Sequence, residues 1–139
     1  MQAASAASDQ STDGLCVLCV DDEQLILDGM HALLGHWGCR VYTAQTIQDA
    51  WGIFDKEPIQ VVLADYQLKQ DETGLDLILR MTAENPRVRA SLLTAEATPE
   101  LSEQALKRNV MVLRKPADPK EIRSFLTDQN GSKTPYAAE

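Results

Sequence analysis

Five short apolar runs that alternate with five helical patterns predict an α/β fold, in which five βα units wind around a five-stranded parallel sheet. Two further observations support this. The first and third runs, in LCVLCV and VVLAD, are almost wholly apolar, as strands covered on both faces must be. The helical patterns between the runs are marked at their starts by capping residues, so each crossover has a defined beginning.

The strands are predicted over 15–20, 40–44, 59–64, 89–94 and 110–114. After the first, Ile26, Met30, Leu33, Leu34 and Trp37 recur at i, i+4, i+7, i+8 and i+11, a helix with one apolar face. After the second, Ile47, Ala50, Trp51 and Phe54 recur at i, i+3, i+4 and i+7, and Thr46 with Asp49 resembles a capping box. Trp37, Trp51 and Phe54 therefore read as core. A third helix is predicted over 75–84, where Asn85-Pro86 stops it. The fourth opens on Thr98-Pro99, a cap followed by an N1 proline, and Asn109 suits a left-handed end. Asp118-Pro119 with Glu121 opens the fifth in the same manner.

A length of 139 residues, 44% of them hydrophobic, suits one domain over 15–127. The segments 1–14 and 128–139 are small and polar and read as flexible tails or linkers. A formal net charge of -8 argues against a duplex nucleic-acid surface. No run is long enough to cross a bilayer, and the first residues lack the basic and apolar regions of a secretion signal, so a cytoplasmic location without direct membrane contact is expected. Cys16 and Cys19 lie within a predicted strand, where residues three apart face opposite ways, which opposes a redox pair. Zinc would need two further ligands, and Cys39 with His36 does not supply them convincingly, so the cysteines are read as structural.

Asp21, Asp22, Asp65, Thr94 and Lys115 all stand where an apolar run ends. Parallel strands bring their carboxyl ends to one rim, where open α/β sheets gather functional groups. A lone Asp-Asp or Lys-Pro is usually a turn, and a lone Thr a cap, but four successive strand ends carrying such residues form a set. Three carboxylates within about 5 Å repel by about 3 kcal/mol per pair at an effective dielectric near 20, so the cluster needs a partner. Lys115 offsets one charge and a divalent cation two more, and Mg2+ suits such oxygen ligands. With charge neutralised, an aspartate can attack an anionic phosphoryl group.

This set resembles the receiver domain of two-component response regulators. The resemblance implies a flavodoxin-like strand order 2-1-3-4-5 and Asp65 as the phosphoacceptor. It also implies a Mg2+ site in which Asp22 binds directly, Asp21 mainly through water, and Asp65 and the backbone carbonyl of Gln67 add ligands. Lys115 and the Thr94 hydroxyl would hold phosphoryl oxygens, and Lys115-Pro116 would be cis. The implied partner is a histidine kinase or histidine phosphotransfer domain, and the implied role is regulatory, with at most self-phosphorylation and autodephosphorylation; a homodimer stays open. Gln67 and Glu96, two residues beyond Asp65 and Thr94, would flank the attacking water and set the lifetime of the aspartyl phosphate.

The chain departs from the family pattern at two places. Val112 stands three residues before Lys115, where many receivers carry Tyr or Phe, so an inward-turning ring cannot report phosphorylation and the loops after Asp65 and Thr94 are expected to do so. Lys69 takes the place of a Pro four positions after the acceptor. Asp65-Tyr66-Gln67-Leu68 followed by Thr73-Gly74-Leu75-Asp76 looks like the carboxyl-terminal receivers of hybrid sensor histidine kinases. Tyr66 itself reads as a loop residue that shapes the pocket.

The rivals are weaker on the residues. A haloacid-dehalogenase-type phosphatase needs a second Asp two positions after its nucleophile, where this chain has Gln67. A flavin module needs a phosphate-cradling first loop, which Asp21-Asp22-Glu23 would repel. A non-phosphorylated docking module would not require the intact acidic set. His31 and His36 belong to the first helix or its end and read as solvated or capping, since no helical bundle presents them as phosphodonors.

Overall fold

The computed structural model describes residues 12–69 and 71–127. Elements alternate as β1 (Cys16–Val20), α1 (Gln24–His36), β2 (Arg40–Ala44), α2 (Ile47–Lys56), β3 (Val61–Asp65), α3 (Gly74–Glu84), β4 (Arg89–Thr94), α4 (Pro99–Lys107), β5 (Met111–Arg114) and α5 (Pro119–Thr127). All strand pairs are parallel and the sheet order is β2-β1-β3-β4-β5, the expected doubly wound arrangement.

Strand pleating sorts the core into two layers. Leu18, Val20, Val62, Ala64 and Leu92 face one side and pack with Ala50 of α2, Leu77, Ile78 and Met81 of α3, and Leu101 and Ala105 of α4. Val17, Cys19, Val61, Leu63 and Leu93 face the other, against Leu27, Met30 and Leu34 of α1 and Ile122, Phe125 and Leu126 of α5. The central strands β1 and β3 are buried along their whole length, which is why their sequences lack polar alternation.

Three predicted strand starts move inward because their backbone groups serve turns. Leu15 N–H closes a turn on the Thr12 carbonyl, Ile59 N–H bonds the Glu57 carbonyl, and Val110 N–H closes the end of α4 on Ala105. Asn109 takes the left-handed conformation at that helix end, with φ 61°. Thr46 and Thr98 accept from the Asp49 and Leu101 N–H groups as helix caps. The reciprocal capping box, however, belongs to α3, where Thr73 and Asp76 bond each other's backbone.

The amino-terminal boundary also shifts. Thr12, expected in a tail, is buried and donates its hydroxyl to the Trp37 carbonyl, and Gly14 N–H bonds the Gly38 carbonyl. The rest of the expected tails, 1–11 and 128–139, lies outside the described residues. Cys16, Cys19 and Cys39 are free and buried, and burial pushes the Cys19 thiol up to about 12, as structural cysteines require.

Gly52 lies on the exposed side of α2, where an added Cβ meets nothing within 4 Å. Gly52→Ala should therefore raise unfolding stability by about 0.5–1 kcal/mol through helix propensity, read from the urea midpoint at unchanged m.

Candidate functional site

The strand register explains how four elements build one site. Val20 of β1 pairs with Ala64 of β3, Asp65 with Leu93 of β4, and Thr94 with Arg114 of β5, so the residues at or just past these positions share the carboxyl rim. Pleat parity then separates them. Asp21, Asp65 and Lys115 follow the alternation of Cys19, Leu63 and Leu113, which face α1 and α5, whereas Thr94 follows Leu92 toward the other layer.

Asp21, Asp22 and Asp65 each offer a carboxylate oxygen, all within 4.8 Å of one another. Lys115 Nζ lies 2.8 Å from Asp21 Oδ2 and 3.5 Å from Asp65 Oδ2. Burial keeps the Asp65 carboxyl above the usual range, with the Asp21 charge adding to it and the Lys115 ammonium and the Gln67 N–H opposing. For Lys115, burial would lower its pKa, but its hydrogen bond to Asp21 and the two carboxylate charges outweigh this and raise it. Asp21 is held from behind by the Glu23 N–H at 2.9 Å from Oδ1.

The remaining expected site residues occupy the surrounding loops. Gln67 is exposed, and its N–H reaches Asp65 Oδ1 at 3.4 Å. Thr94 is buried, with its hydroxyl accepting from the Glu96 N–H at 3.2 Å and donating to the Glu96 carbonyl at 3.3 Å. Lys115-Pro116 is cis. His31 and His36 are exposed on α1, away from any helical bundle.

Three contacts escaped the sequence reading. Lys69 Nζ stands 4.0 Å from Asp22 Oδ2, and the Gln45 side chain donates to the Asp22 carbonyl at 3.2 Å. The third is Gly74, which closes on the Asp65 backbone from the α3 side. The T-x-x-D box around it was the available signal for α3's true start.

An all-oxygen donor set with a flanking ammonium fits a hard divalent cation better than a soft one. The response regulator receiver domain profile matches residues 17–127. The chain belongs to this family. It is a family of regulatory phosphoacceptor modules in two-component signalling, which interact with histidine kinases or phosphotransfer proteins, and membership decides against the phosphatase and flavin readings.

Among relatives, the receiver is 28% identical over 123 residues to the response regulator protein PilR of Pseudomonas aeruginosa, covering 88% of this chain and 27% of that protein. It therefore spans about a quarter of that relative's length. A CheY-like receiver structure from Methanospirillum hungatei is 25% identical with a TM-score of 0.76, covering 87% of this chain and all of that one. A response regulator from Burkholderia pseudomallei, solved with a phosphorylated aspartic acid and a calcium ion, is 26% identical with a TM-score of 0.75 over 85% of this chain and 69% of that one. Among the described residues, no helix is long and apolar enough to cross a membrane.

The raised carboxyl of Asp65 carries a stability consequence. A folded-state value above the unfolded one favours folding fully only below the ordinary carboxylate range, and that contribution is lost as pH rises through the folded value. At pH 7 in EDTA, Asp65→Asn should therefore be more stable than the wild type, with the gap narrowing as pH falls through the carboxylate range in urea titrations.

Proposed function

We propose that this receiver accepts a phosphoryl group on Asp65 from a phosphohistidine of a cytoplasmic histidine kinase or phosphotransfer domain, with Mg2+ at the acidic cluster. The observation that carries this reading is the Lys115 ammonium set between Asp21 and Asp65, beside the Asp22 carboxylate. The phosphorylated aspartate and calcium ion of the Burkholderia relative support it. Asp21, Asp22, Asp65 and the Gln67 carbonyl would hold the ion, which supplies the positive charge that lets a crowded anionic pocket admit a phosphoryl group.

A carboxylate oxygen of Asp65 attacks phosphorus as the P–N bond to the donor imidazole breaks and the imidazole leaves with the electron pair and is then protonated. Lys115 binds a phosphoryl oxygen in place of its bond to Asp65. Thr94 supplies a second donor once its hydroxyl leaves the Glu96 carbonyl. The exposed Gln67 and Glu96 side chains flank the hydrolytic water and set how long the acyl phosphate lasts.

An apolar cleft beside the rim suits the donor's approach. Leu25, at the start of α1, is 84% exposed and borders a cavity of about 230 Å³ walled by Ile26, Gly29, Met30 and Pro116 and reaching Lys115. An apolar side chain of the phosphohistidine-bearing partner seated there would bring its imidazole to the rim.

With Mg2+ and acetyl phosphate, the intact protein should gain the mass of one phosphoryl group. That gain should disappear in Asp65→Asn and in EDTA, and turnover of a phosphate ester in its place would reject the assignment. Leu25→Arg should slow transfer from a phosphohistidine protein about tenfold or more while leaving the acetyl phosphate reaction unchanged. Equal rates with both donors would remove the docking role.

A further inference from the structure

Asp65 is constrained from two directions, with Lys115 at its front. Behind it lies Gly74, the first residue of α3, buried against the end of β3. Its N–H donates to the Tyr66 carbonyl at 2.8 Å, closing the loop that leaves the acceptor. A Cβ built on Gly74 would stand 2.0 Å from the Asp65 carbonyl oxygen, 2.8 Å from its carbonyl carbon and 3.1 Å from Tyr66 Cα.

These are all backbone atoms, so no rotamer change relieves the clash. A carbon sits roughly 3.3 Å or more from a carbonyl oxygen, so one added methyl demands a shift of more than about 1 Å. α3 cannot easily retreat. Its start is tied by the Thr73–Asp76 box, and Leu75, Leu77, Ile78 and Met81 bury its inner face. The strand end has fewer buried anchors. Beyond Asp65 the chain is secured by the Tyr66 N–H on the Leu93 carbonyl at 3.1 Å, the Gly74 N–H on the Tyr66 carbonyl, the longer Gln67 bond to Asp65 Oδ1 and the single buried side chain of Leu68, with Gln67 exposed.

We propose that Gly74 is a positioning residue for phosphoryl transfer: its missing side chain lets α3 close on the Asp65 backbone and so sets where the carboxylate stands relative to Lys115. This rests on Asp65 being the phosphoacceptor. The displaced segment, Asp65-Tyr66-Gln67, carries the nucleophile and the proposed carbonyl ligand, so a 1 Å error acts on the geometry of attack.

The test compares Gly74→Ala with Thr73→Ala, which weakens the same helix start without adding an atom against Asp65. Phosphorylation by acetyl phosphate is followed at saturating Mg2+, well below each variant's Tm, and separated into maximal rate and half-saturating donor concentration. Gly74→Ala should lose about 100-fold in maximal rate, while Thr73→Ala, also less stable, should stay within twofold of the wild type. A Gly74→Ala rate within threefold of the wild type, or equal losses in both variants, would overturn the proposal.

If Gly74→Ala does not fold, the measurement is made in a Gly52→Ala background, and failure to fold there too assigns the glycine a purely structural role and overturns the positioning one. A wild-type protein that takes no phosphoryl group at all would instead sink the reading of Asp65, so the two failures are told apart by the unmodified chain.

Discussion

The Lys115 ammonium between two buried carboxylates is the interaction on which this molecule turns. Without it, Asp21 and Asp65 would face each other across a desolvated gap with Asp22 at their edge, and the rim of the sheet would oppose its own folding. With it, the cluster is tolerated but not neutral, because Lys115 and the exposed Lys69, 4.0 Å from Asp22, stand against three acids. That residual imbalance is the chemical asset of the site: an anionic pocket with a deficit of positive charge is poised to take up a cation.

The scaffold makes this arrangement almost unavoidable once the strands pair. Register places the ends of β1, β3, β4 and β5 in one row, and the pleat puts Asp21, Asp65 and Lys115 on the side of α1 and α5. The same parity sends Thr94 toward the other layer, where its hydroxyl is occupied by Glu96. The site is thus divided between a preassembled charge cluster and a hydroxyl engaged by the Glu96 backbone. Val112 is buried among aliphatic neighbours, so β5 presents no aromatic ring beside that hydroxyl.

Much of this was legible in the residues themselves. Continuous apolar runs identified β1 and β3, and the acidic, hydroxyl and basic residues at their ends identified the rim, because period and position are local properties of a chain. Leu15, Ile59 and Val110 looked like strand residues because apolar character does not say where a backbone N–H is spent, and each is spent in a turn. Thr12 was hidden for a different reason: a lone Thr in a small polar segment becomes structural only when the Trp37 carbonyl comes within reach. Gly74 likewise could be read as a helix start, but not as a neighbour of the Asp65 carbonyl, since that distance depends on how α3 packs on β3.

The two tryptophans occupy opposite layers of the molecule. Trp51 packs with the α2 and α3 side beneath the Arg80 guanidinium, itself bonded to Glu72, while Trp37 packs with the α1 and α5 side beneath Arg123. Each indole thus carries one cation at close to 5 Å from its ring, 5.2 Å for Trp51 and 5.3 Å for Trp37. The protein accordingly contains a separate intrinsic optical reporter for each face of its sheet, and replacing either one with Phe leaves emission that follows a single layer.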